Sequence, residues 1–148
     1  MLSLDQITEN FDLIDDWEER YRYLIELGRE LDPLPADAHN EANRVRGCAS
    51  QVWLETHTLQ QDDAAVLWFK GDSDAFIVKG LIYVVLALYS GRPASEIVGT
   101  DAAPLFEKLG LQAHLTPQRS NGLRAMVERI RSDARAVETR QTQLAGSA

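Results

Sequence analysis

The apolar positions near the start of the chain recur every three or four residues, which is the spacing of one face of a helix. They are Leu4, Ile7, Phe11 and Ile14. Ser3 and Gln6 have the spacing of a capping box, in which two side chains bind free N–H groups at a helix N-terminus. The pattern therefore predicts a first helix that begins after Ser3.

A second helix is predicted from Asp16 to Leu31, because the helical spacing continues there. Its expected buried stripe consists of Trp17, Tyr21, Leu24 and Leu31. Pro33 and Pro35 end this helix, since proline cannot continue the hydrogen-bond ladder. We expect a polar loop from there to Asn43.

The middle of the chain alternates polar and apolar positions, which is the period of a β-strand. Residues 51–59 and 64–70 form a predicted hairpin, with a polar turn at 60–63. A third strand is predicted at residues 41–46, pairing with the 51–59 strand. The segment Gly47-Cys48-Ala49-Ser50 then connects the first two strands of a three-stranded antiparallel sheet.

Residues 73–89 are apolar on nearly all sides, which is typical of a buried central helix. Asp72, Ser73 and Asp74 are predicted to cap its N-terminus. Short helices are expected at residues 94–98 and 103–109. A last helix begins with Thr116 as N-cap and Pro117 in the first turn.

These elements predict an α+β fold, with helices packed on one face of a small antiparallel sheet. A chain of 148 residues with 45% hydrophobic and 26% charged residues has the length and composition of one folded domain. We expect a single domain over residues 1–148, with a frayed tail from about residue 139.

Charge and hydropathy narrow the possible partners. The net charge is -8, and an acidic surface repels nucleic-acid phosphates. The longest apolar run, residues 80–89, is about half as long as a membrane-spanning helix. The first twelve residues lack the basic and then apolar build of a secretion signal. We expect a cytoplasmic protein without nucleic-acid or membrane partners.

Cys48 is the single cysteine of the chain, so it can form no internal disulfide and cannot alone build a zinc or iron–sulfur site. Gly47 permits a tight turn, and the small Ala49 and Ser50 leave room for a partner. Arg44 and Arg46 have the charge that stabilises a thiolate, the reactive form. A lone cysteine is also commonly a small buried apolar residue, so these neighbours alone leave both interpretations open.

The sequence closely resembles the SufE family of sulfur-acceptor proteins, which serve cysteine desulfurases during iron–sulfur cluster assembly. Four segments in the family's order carry the resemblance: residues 46–53, residues 71–75 with 77–81, residues 93–97 with Asp101, and residues 106–123. Together they span about residues 44–131. The first forty residues and the tail are similar only in character.

The resemblance implies that Cys48 takes a sulfur atom from the persulfide of a SufS-type cysteine desulfurase and relays it to an iron–sulfur assembly scaffold. Pyridoxal phosphate belongs to the desulfurase, and this chain needs no cofactor or metal. It is then an accessory protein that stimulates its partner and not itself an enzyme. The fold implied is similar to that of NifU-type scaffolds.

Four further residues are candidates for docking the desulfurase: Arg119, Asp74, Gly47 and Gln51. Arg119 could instead pair with an acidic neighbour, and Asp74 could serve only as a helix cap. Lys79, within an apolar helix, is expected to pair with a carboxylate or to extend to solvent. His39, His57 and His114 lack ligand spacing and are interpreted as surface or packing residues.

Three alternatives remain open at this stage. The chain could be a paralogue that serves another desulfurase and a pathway such as RNA modification. It could be an iron–sulfur scaffold, although one cysteine supplies too few ligands. A thiol redox role lacks a Cys-x-x-Cys pair. Under the sulfur-relay hypothesis, we expect Cys48 to be tucked inward in the free protein, on a loop that must move for reaction.

Overall fold

Two helices open the chain in the computed structural model, which describes residues 1–146 with the side chains of residues 144–146 excepted. Helix α1 spans Leu4–Leu13, and Ser3 and Gln6 form the predicted capping box. Helix α2 spans Trp17–Arg29, and the Asp16 carboxylate accepts a hydrogen bond from the Glu18 N–H. Both predicted helices are confirmed, with α2 two residues shorter at its C-terminus than expected.

The sheet consists of a long hairpin and one very short strand. Strand β1 (Val52–Gln61) pairs antiparallel with β2 (Ala64–Ser73), and Asp62 takes a positive φ of 52° in the turn. Strand β3 (Arg92–Pro93) pairs with the other edge of β2, giving the order β1-β2-β3. The predicted hairpin and the three-stranded antiparallel sheet are confirmed.

The expected third strand at residues 41–46 is wrong. That segment forms one isolated bridge, between Arg44 and Trp53. It cannot extend the ladder because residues 41–43 form a turn and Gly47 reverses the chain with a φ of 92°. The third strand is β3 instead, which is too short to show a period of two in the sequence.

Helix α3 (Phe76–Tyr89) is the buried centre of the fold, as predicted. Gly80 permits the close crossing of α2, because a Cβ atom there would lie 2.0 Å from the Leu24 carbonyl oxygen. The predicted cap is wrong in detail: Ala75 occupies the N-cap position without a side-chain hydrogen bond. Ser73 Oγ accepts from the Ala75 N–H at 3.2 Å, whereas Asp72 and Asp74 bind other partners.

Four helices complete the described chain: α4 (Ala94–Gly99), α5 (Ala103–Lys108), α6 (Leu111–His114) and α7 (Pro117–Gly146). Thr116 Oγ1 accepts from the Arg119 N–H at 3.3 Å, which confirms the predicted N-cap. Helix α7 does not fray at residue 139. Val137 is buried and Gln141 Oε1 accepts from the Ala65 N–H at 3.4 Å, so the helix keeps contact with the sheet. Residues 147–148 of the expected tail lie outside the described residues.

The α+β architecture is confirmed, with helices on one face of the sheet. Leu54, Leu67 and Phe69 on that face are buried, whereas Trp68 on the opposite face is 45% exposed. Among the described helices, none is long and apolar enough to span a bilayer.

Asp72 joins three elements around the start of α3. His39 Nε2 lies 2.7 Å from Asp72 Oδ2, and Lys79 Nζ lies 3.5 Å from Oδ1. The Ser73 N–H donates to Asp72 Oδ1 at 2.8 Å. Lys79 therefore pairs with a carboxylate as expected. His39, interpreted as an ordinary surface or packing residue, is hydrogen-bonded to Asp72 and forms an ion pair with it when the imidazole is protonated.

This cluster predicts a pH dependence of stability. The hydrogen bond with Asp72 raises the pKa of His39 above its ordinary value of about 6.5. A folded-state pKa above the unfolded one stabilises the fold below about pH 6.5, and the contribution disappears as the pH rises through the folded pKa. His39→Gln should therefore lower the melting temperature relative to wild type at pH 5.5 and much less at pH 8.5.

Asp72→Asn serves as the matched partner variant for the melting measurements. The double variant should be less stable, because Asp72 also contacts Lys79 and Ser73, but it should show the same dependence on pH as His39→Gln alone, because the contact with His39 is the one that titrates in this range. A His39→Gln profile that runs parallel to the wild-type profile from pH 5.5 to 8.5 would contradict the assignment.

Candidate functional site

Cys48 lies on the loop that connects Arg44 to the start of strand β1 at Val52. The loop packs against the second turn of α7. Gly47 takes the left-handed φ of 92° that turns the chain toward this helix. The Cys48 S–H donates to the Gly122 carbonyl oxygen at 3.6 Å, which is a weak hydrogen bond. Gly122 faces the sulfur, since a Cβ atom there would lie 3.5 Å from Cys48 Sγ, in ordinary van der Waals contact.

The sulfur borders a small cavity of about 30 Å³. Its walls are mostly apolar and come from the cysteine loop, β1, α3 and α7. The lining residues are Cys48, Ala49, Ser50, Val52, Val78, Leu81, Gln118, Arg119, Gly122 and Met126. The volume exceeds the roughly 10–15 Å³ that a water-sized group needs, so the cavity has room for one more heavy atom beyond the sulfur.

The Cys48 side chain is partly buried. Burial raises the pKa of the Cys48 thiol, and the positive charge of Arg44 opposes this only in part. Arg46, the other cation predicted to activate the thiol, is exposed, and its Nη2 lies 3.5 Å from Glu41 Oε2. In the free protein, burial therefore outweighs the cation and favours the neutral thiol. The inward position agrees with the expectation from sequence, while the movement of the loop stays a prediction.

Asp74 holds the end of the cysteine loop. Its Oδ1 accepts from the Gln51 N–H at 3.0 Å, and its own N–H donates to the Gln51 carbonyl oxygen at 3.3 Å. The interpretation of Asp74 as a helix cap is therefore wrong, because its carboxylate binds the backbone of the loop. Two of the predicted docking candidates, Asp74 and Gln51, thus meet each other at the point where the loop enters β1.

Arg119 lies at the rim of the same cavity, in the first turn of α7. Its side chain is exposed, and among the described residues it makes no ion pair. The alternative that Arg119 pairs with an acidic neighbour is therefore not supported. The structure brings Cys48, Gly47, Gln51, Asp74 and Arg119 to one side of the molecule, around one loop.

Sequence reasoning predicted an inward Cys48 but did not identify the residues that wall the cavity. From the hydrophobic pattern, Val78, Leu81 and Met126 are indistinguishable from other core residues. Gly122 offered a signal, since glycine inside a helix is unfavourable and commonly marks a close approach. Within residues 1–143, no three His, Cys, Asp or Glu side chains converge as a metal site requires.

Comparison with known proteins connects this chain to one family. The model of the SufE family, described as an Fe-S metabolism associated domain, matches residues 5–134. A SufE-like protein of Rhizobium etli is 56% identical over 135 residues, which is 91% of each chain. A SufE-like protein of Rhizobium meliloti is 52% identical over 134 residues, covering 90% of this chain and 96% of the relative.

A solved structure is similar in fold. The solution structure of a hypothetical protein from Thermus thermophilus superimposes with a TM-score of 0.68 at 23% identity, covering 94% of this chain and 99% of that one.

The two arginines before Cys48 provide a matched test of the thiol environment. The pKa of Cys48, measured from the pH dependence of its alkylation rate, should lie above the ordinary cysteine value, because burial disfavours the thiolate. Arg44→Gln should raise it further by removing the opposing cation, whereas Arg46→Gln should leave it unchanged. Equal shifts for the two variants, or a wild-type pKa below the ordinary value, would contradict this account.

Proposed function

The chain belongs to the SufE family, whose members act in sulfur transfer with cysteine desulfurases, and on that premise we propose that Cys48 accepts a sulfur atom as a persulfide and passes it on. The observation that carries the proposal is the position of the only cysteine. It lies at a loop, partly shielded, beside a cavity with space for one more heavy atom.

The transfer step conserves atoms and electrons. The Cys48 thiol loses its proton, and the thiolate attacks the outer sulfur of a persulfide on the donor's cysteine. A new S–S bond forms on Cys48 as the donor's S–S bond breaks, and the donor cysteine leaves as a thiolate that takes up a proton. No external oxidant or reductant is consumed.

The cavity supports a carrier role because it can shelter the product. A persulfide extends the cysteine by one S–S bond of about 2.05 Å, a length that the space beside Cys48 accommodates. Val52, Val78 and Leu81 would surround the outer sulfur with apolar surface and limit the approach of cellular thiols. The same burial favours the neutral form of the Cys48 thiol until the side chain is exposed at the partner.

Docking of the desulfurase is assigned to the rim of this cavity. Arg119 is exposed there without an intramolecular ion pair in the described chain, so its guanidinium is available to an acidic or carbonyl group of the partner. Asp74 and Gln51 fix one end of the loop, and Gly47 lets the other end turn. Together they would allow the partner to draw Cys48 outward while the end of the loop at β1 stays in place.

The partner in this proposal is a SufS-type cysteine desulfurase, which carries the pyridoxal phosphate and is stimulated by this chain. The chain acts as an accessory protein of the cytoplasm and hands its sulfur to an iron–sulfur assembly scaffold. Delivery to another pathway, such as RNA modification, uses the same chemistry at Cys48 and is distinguished by identifying the acceptor. A scaffold role requires several ligands, and the chain has one cysteine.

The first test of this function concerns the sulfur itself. Incubation with a cysteine desulfurase and free cysteine should add the mass of one sulfur atom to the wild-type chain and nothing to Cys48→Ser, as measured by intact-mass spectrometry. Cysteine without the desulfurase is the control and should leave the wild-type mass unchanged. A persulfide-sized adduct on the serine variant would falsify the assignment of Cys48.

The second test concerns Arg119. Most interface residues cost less than about 1 kcal/mol on truncation, but arginines are enriched among the few that cost about 2 kcal/mol or more. If Arg119 is such a residue and costs about 1–2 kcal/mol, Arg119→Ala should weaken the apparent affinity for the desulfurase by about 5–30-fold in a stimulation titration. Its melting temperature should hardly change, because the side chain is exposed and makes no ion pair within the described residues.

Arg124→Ala is the matched control for this titration, because Arg124 lies on the same helix but borders a different hollow, next to Phe106 and Leu123. Equal stimulation curves for the wild type and Arg119→Ala, or an equal loss in Arg124→Ala, would remove Arg119 from the docking surface.

A further inference from the structure

Arg129 binds the backbone of the segment that leads into the cysteine loop. Its Nη2 donates to the Ala42 carbonyl oxygen at 2.7 Å, and its Nη1 donates to the Arg44 carbonyl oxygen at 3.3 Å. Helix α7 is thereby connected to the chain just before Gly47 and Cys48. The planar guanidinium can serve two carbonyl groups at once, which a lysine ammonium does less well.

The Arg129 side chain is itself held in place from the sheet. Its Nε donates to Asp133 Oδ1 at 3.3 Å, one helical turn further along α7. Thr56 Oγ1 on β1 donates to Asp133 Oδ2 at 2.7 Å. The side chains of Arg129 and Asp133 are each 27% exposed, so this pair is less screened by water than a pair in full solvent. We call the set Thr56, Asp133 and Arg129 the clamp.

Arg129 binds a carbonyl group, that of Arg44, which is not hydrogen-bonded to β1. The Val45 N–H donates to the Val52 carbonyl oxygen at 2.9 Å, and the Asn43 carbonyl oxygen accepts from the Leu54 N–H at 2.8 Å. The Arg44 carbonyl between them points away from β1, as alternate groups of a bridge do. Arg129 binds it there, so the segment is held from two sides.

This segment also carries Arg44, the cation that lowers the pKa of the Cys48 thiol. The Arg44 guanidinium lies over the Trp53 ring, 5.9 Å from its centroid. With the Arg44 backbone fixed by Arg129, the chain reaches Gly47 at a defined place, and Cys48 meets Gly122. On the other side the loop is fixed by Asp74. The loop tip itself is held to α7 by the weak hydrogen bond from Cys48 to Gly122.

We propose that Arg129 is a positioning residue that keeps Cys48 in its inward position, by clamping the segment of residues 42–44 to helix α7. The inference deepens the proposed function, on which it rests, because the position held is that of the sulfur acceptor. Release of the clamp frees one end of the loop and lets Cys48 reach solvent more often. The clamp thus sets how readily the free protein exposes its thiol.

The test measures alkylation of Cys48 by iodoacetamide in the free protein, across pH to the plateau at which the thiol is fully ionised. The plateau rate reports access to the sulfur and is separate from its pKa. Arg129→Gln should raise this rate by roughly 5- to 10-fold, as expected when charge-assisted hydrogen bonds are lost from the shielded position. Arg135→Gln is the matched control, because Arg135 lies on the same helix and pairs with Glu128 at the surface.

Asp133→Asn removes the carboxylate that holds Arg129, and it provides a second test of the clamp if Arg129→Gln does not fold. It should raise the plateau rate by a smaller factor, and the double variant with Arg129→Gln should match Arg129→Gln alone, because both changes act through one contact. Circular dichroism and melting curves identify a variant that is unfolded, in which case Asp133→Asn decides. A plateau rate equal to wild type in the folded variants, or an equal rise in Arg135→Gln, would overturn the proposal.

The outcome is independent of the sulfur-transfer assignment, because no desulfurase is present in the alkylation assay. If the desulfurase added no sulfur to wild-type Cys48, the proposed function would fail while the clamp result stood. If the plateau rates were unchanged but sulfur was accepted, only the clamp would fail.

Discussion

The sulfur of Cys48 rests on the backbone of helix α7, and the other features of the site follow from that contact. Gly47 turns the chain toward this helix with a φ of 92°, and Gly122 faces the sulfur, where a Cβ atom would lie 3.5 Å away in ordinary van der Waals contact. The buried helix α3 then supplies Val78 and Leu81 as a second wall.

The position of the sulfur balances protection against reactivity. A buried thiol resists ionisation because the thiolate loses its hydration, and Arg44 compensates only in part. Exposure to water or to a partner's polar surface would remove that penalty. In the proposed carrier role, a loop that exposes Cys48 only at the donor and the acceptor would satisfy both requirements, because the sulfur would be shielded between the two.

The loop is fixed at its ends and lightly held in its middle. Asp74 binds the Gln51 backbone where the loop enters β1, and Arg129 binds the carbonyl groups of Ala42 and Arg44 where it begins. Between these points the tip makes a weak sulfur hydrogen bond to α7. Under the proposed function, such a difference in strength would confine movement to a few residues around Cys48 and leave the sheet undisturbed.

The sequence alone determined the local elements, the cysteine and the family. Caps at Ser3 and Thr116, the hairpin and the all-round apolar helix α3 are encoded in short-range spacing, which is set by backbone periodicity and needs no distant partner. The tertiary structure decided the third strand and the role of Asp74. It also decided whether burial or the charge of Arg44 has the larger effect on the pKa of Cys48. Each depends on residues far apart in the chain: β3 needs the free edge of β2, Asp74 needs the Gln51 backbone, and desolvation of the thiol needs walls from three elements. Pairing and burial are properties of that assembled environment, and no spacing pattern records them.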